Sequence, residues 1–376
     1  MAADRKIRVG LLFGGRSPEH EISITTAASI AKEADPEKFE IRPIWLTRDG
    51  RWLELESPGK LAALAGRLLG EGEIGAIPRQ EVLLSGADEA ALVPAAPERA
   101  HLAEPIDVIF PALHGRGGED GSVQGLARLV DVPCVGAGIL GSALGMDKIT
   151  MKRIAASHGV PIPPFIEFTR DAYAKSKQSI LDDVAGNLPF PVFVKPSGTG
   201  SSVGITKVKE AARLAEAIEA ALPYDYRLLV EQGIDAREME IALLGNDVPF
   251  ASVVGEIVPG AEFYDYRAKY LDEGSRAIIP ADIPEPTSRT IREQAIRLFR
   301  AFDLSGMARA DFLLDRSSGQ VYFNEVNTIP GFTPISMYPM LMEASGTPYR
   351  DLITRLIYLA LERHRSTRVD TDRPRI

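Results

Sequence analysis

The sequence predicts an α/β fold that begins with a parallel layer and continues into α+β layers. Apolar, strand-like runs at residues 7–13, 41–46 and 106–110 alternate with helical segments, which is the pattern of a parallel α/β layer. Further along the chain, two alternating runs at 307–315 and 320–326 predict an antiparallel hairpin. The change from crossover helices to a hairpin indicates that different layers follow one another along the chain.

A chain of 376 residues is too long for one compact core, so we expect several domains. Residues 1–145 form the predicted parallel layer, in which 57–103 contribute a helix and an edge hairpin. Residues 146–227 predict a small α+β domain around a glycine-rich turn, and residues 228–364 a second α+β domain. The remaining residues, 365–376, are charged and poor in apolar side chains, which predicts a disordered tail.

The composition is that of an ordinary globular enzyme, with 45% hydrophobic and 25% charged residues. The 52 acidic and 43 basic residues give a net charge of −9, which disfavours a nucleic-acid-binding surface. No apolar run approaches the roughly 18 residues of a membrane span, and the first apolar run is too short for a secretory signal. We therefore expect a cytoplasmic enzyme with neither a nucleic-acid nor a membrane partner.

The single cysteine, Cys134, excludes an internal disulfide. It lies in the apolar stretch Val132–Val135, and no basic residue adjoins it to lower the pKa of its thiol. The sequence predicts a buried packing thiol here and not a nucleophile.

A glycine-rich loop at residues 195–204 joins two strand-like runs and begins with Lys195. Its glycines allow backbone N–H groups to converge, as a phosphate site requires. It lacks the ending of a Walker loop and the spacing of a dinucleotide fingerprint. A flexible hairpin tip has the same composition, but a second lysine, Lys148, offers a partner that would bracket a phosphate chain with Lys195.

The strand-like run 228–232 ends at a linker that contains Ile234. Backbone groups beside an apolar strand end suit the edge of an adenine ring, and Glu231 stands at this end. Glu238, seven residues further on, is placed to hold ribose hydroxyls. The alternative is that both glutamates are ordinary surface acids.

The predicted C-terminal hairpin carries hard oxygen ligands on one face. Alternation places Arg309 beside Asp311 on the first strand, and Glu325 beside Asn327 on the second. Pairing of the strands would bring these side chains together, in a site suited to Mg²⁺ (or Mn²⁺) on the phosphates of ATP. A solvated hairpin face is the alternative, but the apolar, Gly/Pro-structured turn 327–333 that follows argues against it.

Taken together, these motifs resemble the D-alanine–D-alanine ligase family, a branch of the ATP-grasp enzymes. The resemblance covers nearly the whole chain through seven ordered segments, at residues 14–23, 114–121, 146–148, 195–204, 231–238, 263–270 and 309–336. It implies the ATP-grasp fold, in which a Rossmann-like N-terminal domain precedes two α+β subdomains that sandwich ATP.

The resemblance also implies roles for individual residues. Catalytic roles fall to Glu19, Ser201, Tyr270, Arg309 and Gly331. Contacts to the amino-acid substrates fall to His114, Lys269 and Ser336. Nucleotide contacts fall to Lys148, Lys195, Ser202, Glu231, Ile234, Glu238 and Phe263, and the ligands of two Mg²⁺ (or Mn²⁺) ions are Asp311, Glu325 and Asn327.

The activity that the resemblance implies is ATP-dependent joining of two D-alanines through an acyl phosphate, for peptidoglycan precursor synthesis. It further implies a lid at residues 264–270, a homodimer, and activation by a monovalent cation that no residue here identifies. The lid pattern of the dipeptide-forming members is intact. A D-alanine–D-lactate or D-alanine–D-serine ligase, another ATP-grasp carboxylate–amine ligase, a phosphotransferase and a non-catalytic ATP-binding protein are the alternatives.

Overall fold

The computed structural model describes residues 5–68, 79–85, 91–94, 104–258 and 276–367. Within these ranges the strands form three sheets, and helices pack on each of them. We call these the first, middle and last sheets, in the order in which the chain forms them.

Among the described residues, the first sheet has seven strands in the order β6-β5-β4-β3-β2-β1-β7. They are β1 (Ile7–Gly14), β2 (Phe39–Leu46), β3 (Trp52–Leu55), β4 (Arg79–Ser85), β5 (Ala91–Pro94), β6 (Glu104–Pro105) and β7 (Val108–Pro111). Strand β1 pairs in parallel with β2 and β7, which confirms the predicted parallel layer. Strands β3 to β6 extend the sheet in antiparallel pairs, and β4 and β5 form the predicted edge hairpin.

The strand predicted at residues 106–110 begins only at Val108. The reason is the side chain of Asp107, which accepts a hydrogen bond from the backbone N–H of Arg8 at 2.8 Å. The same carboxylate forms salt bridges with the guanidinium groups of Arg8 and Arg5. These charged contacts satisfy the hydrogen-bonding capacity of the Asp107 carboxylate at the end of the sheet, and the residue stays outside the strand.

Helices of the first part of the chain follow its strands. They are α1 (His20–Glu33), α2 (Pro58–Leu68), α3 (Ser122–Leu129) and α4 (Ile139–Met146). The buried residues of α1 lie against the apolar side chains of β1, so that Ile24, Ala27 and Ile30 share a core with Val9 and Leu11.

The middle sheet is antiparallel in the order β10-β9-β11-β8 among the described strands. They are β8 (Phe165–Thr169), β9 (Val192–Pro196), β10 (Thr206–Val208) and β11 (Arg227–Gln232). Helices α5 (Lys148–Ser157), α6 (Arg170–Asn187) and α7 (Leu214–Ala221) belong to this part of the chain. Because β11 pairs with β8 and β9, the middle sheet continues to Gln232, beyond the boundary predicted at 227.

The last sheet is also antiparallel, in the order β14-β13-β12-β15-β16 among the described strands. They are β12 (Ala236–Gly245), β13 (Phe250–Val258), β14 (Arg276–Ile278), β15 (Gly306–Asp315) and β16 (Val321–Asn327), and the helices are α8 (Glu285–Ala301), α9 (Met337–Ala344) and α10 (Tyr349–Thr367). Strands β15 and β16 are the predicted hairpin. Helix α10 extends to Thr367, so residues 365–367 of the predicted tail are helical, and residues 368–376 lie outside the described residues.

The first and last sheets share one hydrophobic core. Phe332, in the turn after β16, packs edge-on against Phe110 of β7, with ring centroids 6.1 Å apart. On its other side Phe332 meets Tyr338 of α9 at 5.8 Å, and the buried hydroxyl of Tyr338 donates to the Leu243 carbonyl at 3.0 Å. These aromatic contacts hold the turn that follows the hairpin against the carboxyl end of the parallel strands, where α/β proteins bind ligands.

Cys134 lies beside β7 and is buried, as predicted. Burial raises the pKa of its thiol to about 12, which leaves almost no thiolate at neutral pH. None of the helices that the structure describes combines the length and the apolar character needed to cross a membrane.

Candidate functional site

Glu19 stands immediately before α1 and is buried, with 6% of its surface exposed. The hydroxyl of Ser201, from the glycine-rich loop, donates a hydrogen bond to its carboxylate. Two glycines permit this approach: a Cβ at Gly115, where φ is +73°, would stand 2.5 Å from Glu19 Oε2, and one at Gly200 would stand 3.2 Å from it. The structure therefore brings together Glu19 and Ser201, which lie far apart in the sequence.

His114 is buried, and each of its ring nitrogens has a partner within the protein. Nδ1 lies 3.1 Å from the Ile329 carbonyl and Nε2 lies 3.0 Å from the Thr26 hydroxyl. A carbonyl can only accept, so Nδ1 carries the proton. Burial lowers the pKa of His114 despite the opposing charge of Glu19, so the ring is neutral and Nε2 accepts from Thr26. The prediction placed His114 against substrate, whereas here both nitrogens are bound to protein groups.

Glu119 belongs to the same loop, and no role was predicted for it. Its Oε2 accepts from the Gly115 N–H at 2.8 Å and its Oε1 from the Ile329 N–H at 3.0 Å. Although part of the residue reaches solvent, the carboxyl group lies among protein atoms. This burial, together with the charge of Glu19, raises the pKa of Glu119 to about 8.

Three lysines, which we call the lysine cluster, meet where α5 approaches the ends of the middle and last sheets: Lys148, Lys152 and Lys195. Lys148 and Lys152 are one helical turn apart on α5, so they share a face. Lys148 Nζ donates to the Thr199 carbonyl at 2.6 Å and lies 3.4 Å from Glu325 Oε2. Lys148 and Lys195 are the predicted pair, and Lys152 is an addition.

Lys152 and Lys195 both pair with Glu231. Lys152 Nζ is 2.5 Å from Glu231 Oε2, and Lys195 Nζ is 2.9 Å from Oε1. The side chains of Lys152 and Glu231 are only 1% and 2% exposed. Burial lowers the pKa of Lys152, an effect that the Glu231 charge opposes. Burial alone would raise the pKa of Glu231, but the two lysines outweigh it and lower that pKa, so the carboxylate is ionised.

The linker that was predicted to face adenine lies between the middle and last sheets. Ile234 sits between β11 and β12, next to Gly233, whose N–H donates to the Pro191 carbonyl at 2.8 Å. Glu238 follows on β12, opposite Ile257 of β13. Glu231 therefore lies near the end of β11 and Glu238 near the start of β12, on either side of this linker.

On the last sheet, Asp311 pairs in register with Glu325, and Arg309 with Asn327, as predicted. The guanidinium of Arg309 donates two hydrogen bonds of 2.8 Å to the Asp311 carboxylate. Asn327 Nδ2 donates to Asp311 Oδ2 at 3.0 Å. Glu240 of β12, for which no role was predicted, adds a carboxylate oxygen 3.0 Å from Arg309 Nε.

The donor set on the hairpin has the chemistry that Mg²⁺ prefers, because the carboxylates of Asp311 and Glu325 and the amide of Asn327 offer hard oxygen atoms. In the part of the chain that the structure describes, no three carboxylate, imidazole or thiolate side chains are grouped closely enough to hold a metal ion by themselves.

Gly331 and Ser336 are neighbours in the turn after β16. A Cβ at Gly331 would stand 3.1 Å from the Ser336 hydroxyl oxygen. That oxygen accepts from the Thr333 N–H at 3.1 Å, and the two hydroxyl groups lie 2.8 Å apart. The predicted oxyanion donor and the predicted carboxylate contact thus belong to one small turn.

The other four predicted site residues are Ser202, Phe263, Lys269 and Tyr270. Ser202 lies next to Ser201 in the glycine-rich loop, and both have left-handed backbones, with φ of +59° and +47°. Phe263, Lys269 and Tyr270, with the predicted lid at 264–270, fall outside the described residues.

A lysine cluster between two antiparallel sheets, with oxygen ligands on the edge hairpin of one, is typical of proteins that bind a nucleotide between α+β layers. Comparison with known proteins agrees with this class of protein. The profile described as D-ala D-ala ligase N-terminus matches residues 8–137, and that described as D-ala D-ala ligase C-terminus matches residues 154–358. A D-alanine–D-alanine ligase from Bacillus cytotoxicus is 47% identical over 360 residues, covering 96% of this chain and 97% of the relative.

Two solved structures share the fold. The D-alanine-D-alanine ligase from Coxiella burnetii is 35% identical with a TM-score of 0.82, covering 97% of this chain and 96% of the other. The VanG D-Ala:D-Ser ligase from Enterococcus faecalis is 32% identical with a TM-score of 0.81, covering 95% and 100%. The chain belongs to the D-alanine–D-alanine ligase family, whose members are ligases with the ATP-grasp fold.

Replacement of Lys152 by methionine should destabilise the protein, because it leaves the buried Glu231 carboxylate with Lys195 alone. Removal of one partner of a buried ion pair costs about 3 kcal/mol. We expect the urea midpoint, measured without nucleotide, to fall accordingly.

The matched control for Lys152→Met is Arg153→Met, at the next position of α5. The Arg153 side chain is 60% exposed where it pairs with Glu167, so its loss should cost less than about 1 kcal/mol. Equal urea midpoints for the two variants would contradict the importance assigned to the buried pair.

Proposed function

We propose that the protein joins two molecules of D-alanine to D-alanyl-D-alanine, with ATP converted to ADP and phosphate. The observation that carries the proposal is the position of the glycine-rich loop. Ser201 donates to Glu19, while the Thr199 carbonyl accepts from Lys148 at 2.6 Å. One short loop thus contacts both the carboxylate suited to a substrate ammonium group and a lysine suited to the ATP phosphates. A substrate held by Glu19 would have its own carboxylate close to the phosphate chain.

In the first proposed step, the carboxylate of the first D-alanine attacks the γ-phosphoryl group and forms an acyl phosphate. This transfer needs positioning and charge neutralisation more than covalent help. Lys148 and Lys195 would neutralise the phosphate oxygens, and the Glu19 carboxylate would hold the substrate ammonium group. Glu231, Ile234, Glu238 and Phe263 would bind the adenosine, with Ser202 on the loop beside the phosphates.

In the second step, the amine of the second D-alanine attacks the acyl phosphate, and phosphate leaves from a tetrahedral intermediate. Arg309 and the Gly331 N–H would stabilise the oxyanion of that intermediate. Ser336 would bind the carboxylate of the second D-alanine with Lys269, and Ser201 with Glu19 and Tyr270 would relay the proton lost by the amine. The roles of Lys269 and Tyr270 rest on the family resemblance alone.

Asp311, Glu325 and Asn327 would hold two Mg²⁺ or Mn²⁺ ions. When bound, these ions supply charge neutralisation on the phosphates. The Arg309–Asp311 ion pair orients that carboxylate for such a role.

The cellular setting is also a proposal. A ligase that supplies the peptidoglycan precursor works on small cytoplasmic substrates, so we place the protein in the cytoplasm, where it would support cell-wall formation and cell shape. We propose a homodimer and activation by a monovalent cation on the family resemblance alone.

A D-alanine–D-serine ligase is the second candidate, because the VanG D-Ala:D-Ser ligase from Enterococcus faecalis shares the fold at 32% identity. The two functions differ only in the second substrate. The residues around Ser336 and the segment 264–270 would determine that choice.

Incubation with ATP, Mg²⁺ and D-alanine should release phosphate and form an equal amount of D-alanyl-D-alanine. D-serine and D-lactate, offered in competition with D-alanine across a range of pH, should enter the product poorly. Chromatography of the products with a phosphate assay measures both quantities. Phosphate release without dipeptide, or a phosphorylated amino acid that persists, would rule out the ligase, and a mixed D-alanyl-D-serine product would favour the second candidate.

Replacement of Glu325 by glutamine should raise the Mg²⁺ concentration needed for half-maximal activity by at least about tenfold, since one anionic ligand is lost. Asp315→Asn, at the turn of the same hairpin, is the matched control. Its Oδ1, which accepts from Ser317 and Ser318, is retained in asparagine. A Mg²⁺ dependence that is the same in both variants would place the metal elsewhere.

A further inference from the structure

Both backbone groups of Ile329 are held by side chains of a single loop in the first part of the chain. The Ile329 N–H donates to Glu119 Oε1 at 3.0 Å, and its carbonyl accepts from His114 Nδ1 at 3.1 Å. Ile329 itself is 3% exposed. We call this pair of contacts the Ile329 clamp. We call residues 114–119, which provide both side chains, the clamp loop.

The clamp loop also borders the carboxylate of Glu19. Gly115 leaves no room for a side chain beside Glu19 Oε2, and its N–H donates to Glu119 Oε2 at 2.8 Å. The His114 carbonyl accepts from the Ser17 hydroxyl at 2.8 Å, two residues before Glu19. The clamp loop therefore contacts both the ammonium site and the turn after β16.

Ile329 lies two residues before Gly331, the proposed oxyanion donor. A hold on both backbone groups of Ile329 fixes the peptide planes on either side of it, because the peptide bonds themselves are planar. Phe332 is packed against Phe110 and Tyr338 on the far side of Gly331. Gly331 is thus placed between a polar anchor and an apolar anchor.

We infer that Glu119 and His114 are positioning residues that set the spacing between the Glu19 carboxylate and the Gly331 N–H. This inference rests on the proposed function, in which those two groups bind the ammonium end and the reacting carboxyl of the first substrate. The clamp would then match the site to α-amino acids, whose ammonium and carboxyl groups sit on the same carbon. Neither side chain needs to touch the substrate.

Glu119→Gln tests the clamp with little change of shape. At pH 9, above the pKa of Glu119, both of its oxygens accept from N–H groups, and glutamine replaces one of them with an NH₂ group that can only donate. An N–H of Ile329 or Gly115 then loses its acceptor. Since a displacement of about 1 Å at a reacting group can lower the rate about 100-fold, we expect kcat to fall at least about tenfold, with KM for ATP within about twofold.

Asp120→Asn is the control for Glu119→Gln. Asp120, the residue after the clamp loop, also accepts two backbone hydrogen bonds, from Gly117 at 2.8 Å and Ser122 at 3.0 Å, but neither donor belongs to the turn after β16. Its kcat should stay within about twofold of the wild type. A Glu119→Gln enzyme that matches Asp120→Asn in kcat would overturn the inference.

A pair of substitutions at His114 separates positioning from direct binding. The amide nitrogen of asparagine can occupy the place of Nδ1 and donate to Ile329, whereas that of glutamine reaches the place of Nε2. We expect His114→Asn to keep at least about tenfold more kcat than His114→Gln. Asparagine as impaired as glutamine would overturn the inference, and this pair decides the question if Glu119→Gln does not fold.

Hydrogen exchange at Ile329 tests the clamp without reference to activity. Its amide should exchange at least about tenfold faster in Glu119→Ala, which removes both acceptor oxygens, than in the wild type or Asp120→Asn. Unchanged exchange would overturn the inference. A wild-type protein that forms no dipeptide would instead defeat the proposed function, and the exchange result would still report on the clamp.

Discussion

The constraint on which this structure most depends is the neutralisation of the lysine cluster. Lys152 is almost completely buried, and it is paired with Glu231, which is equally buried. Ions are expensive to remove from water, so such a group persists only where its partners are close and well placed. Helix α5 must therefore sit where the middle sheet provides Glu231 and the last sheet provides Glu325. The positions of the two sheets and the position of the cations are set together.

This arrangement explains why the site suits a polyanion. Lys148 and Lys195 are more exposed than Lys152 and stand at the edge of the cluster, where phosphate oxygens can replace or join their carboxylate partners. Lys152 stays behind them and keeps Glu231 ionised and oriented. The family comparison names the class of reaction, and the buried network shows how this chain maintains charged groups for it.

The sequence predicted what local geometry determines. Alternation along β15 and β16 was enough to place Arg309, Asp311 and Asn327 on one face, because side chains in a strand repeat every two residues. The sequence did not reveal Lys152 or Glu119. A lysine on a helix is ordinarily exposed, and only the packing of α5 against β16, beside Glu231, buries this one. Glu119 receives its role from Ile329, more than 200 residues away, which no local pattern encodes.

His114 also shows the limit of prediction from the sequence alone. The resemblance placed it near Glu19, but the roles of its two ring nitrogens follow from Thr26 and Ile329, which the fold brings to it. The clamp loop follows the first sheet and the glycine-rich loop joins two strands of the middle sheet, so the site exists only when these sheets are assembled. The shared core around Phe110 and Phe332 joins the first and last sheets within that assembly.

The central claim is that the assembled site joins a substrate carboxylate to the γ-phosphoryl group of ATP. D-alanine labelled with ¹⁸O in its carboxylate tests this claim most directly, with mass spectrometry of the phosphate released during dipeptide formation. Attack by the carboxylate transfers one labelled oxygen to each phosphate, which is the result we predict. Phosphate that contains oxygen from water and none from D-alanine would contradict the account.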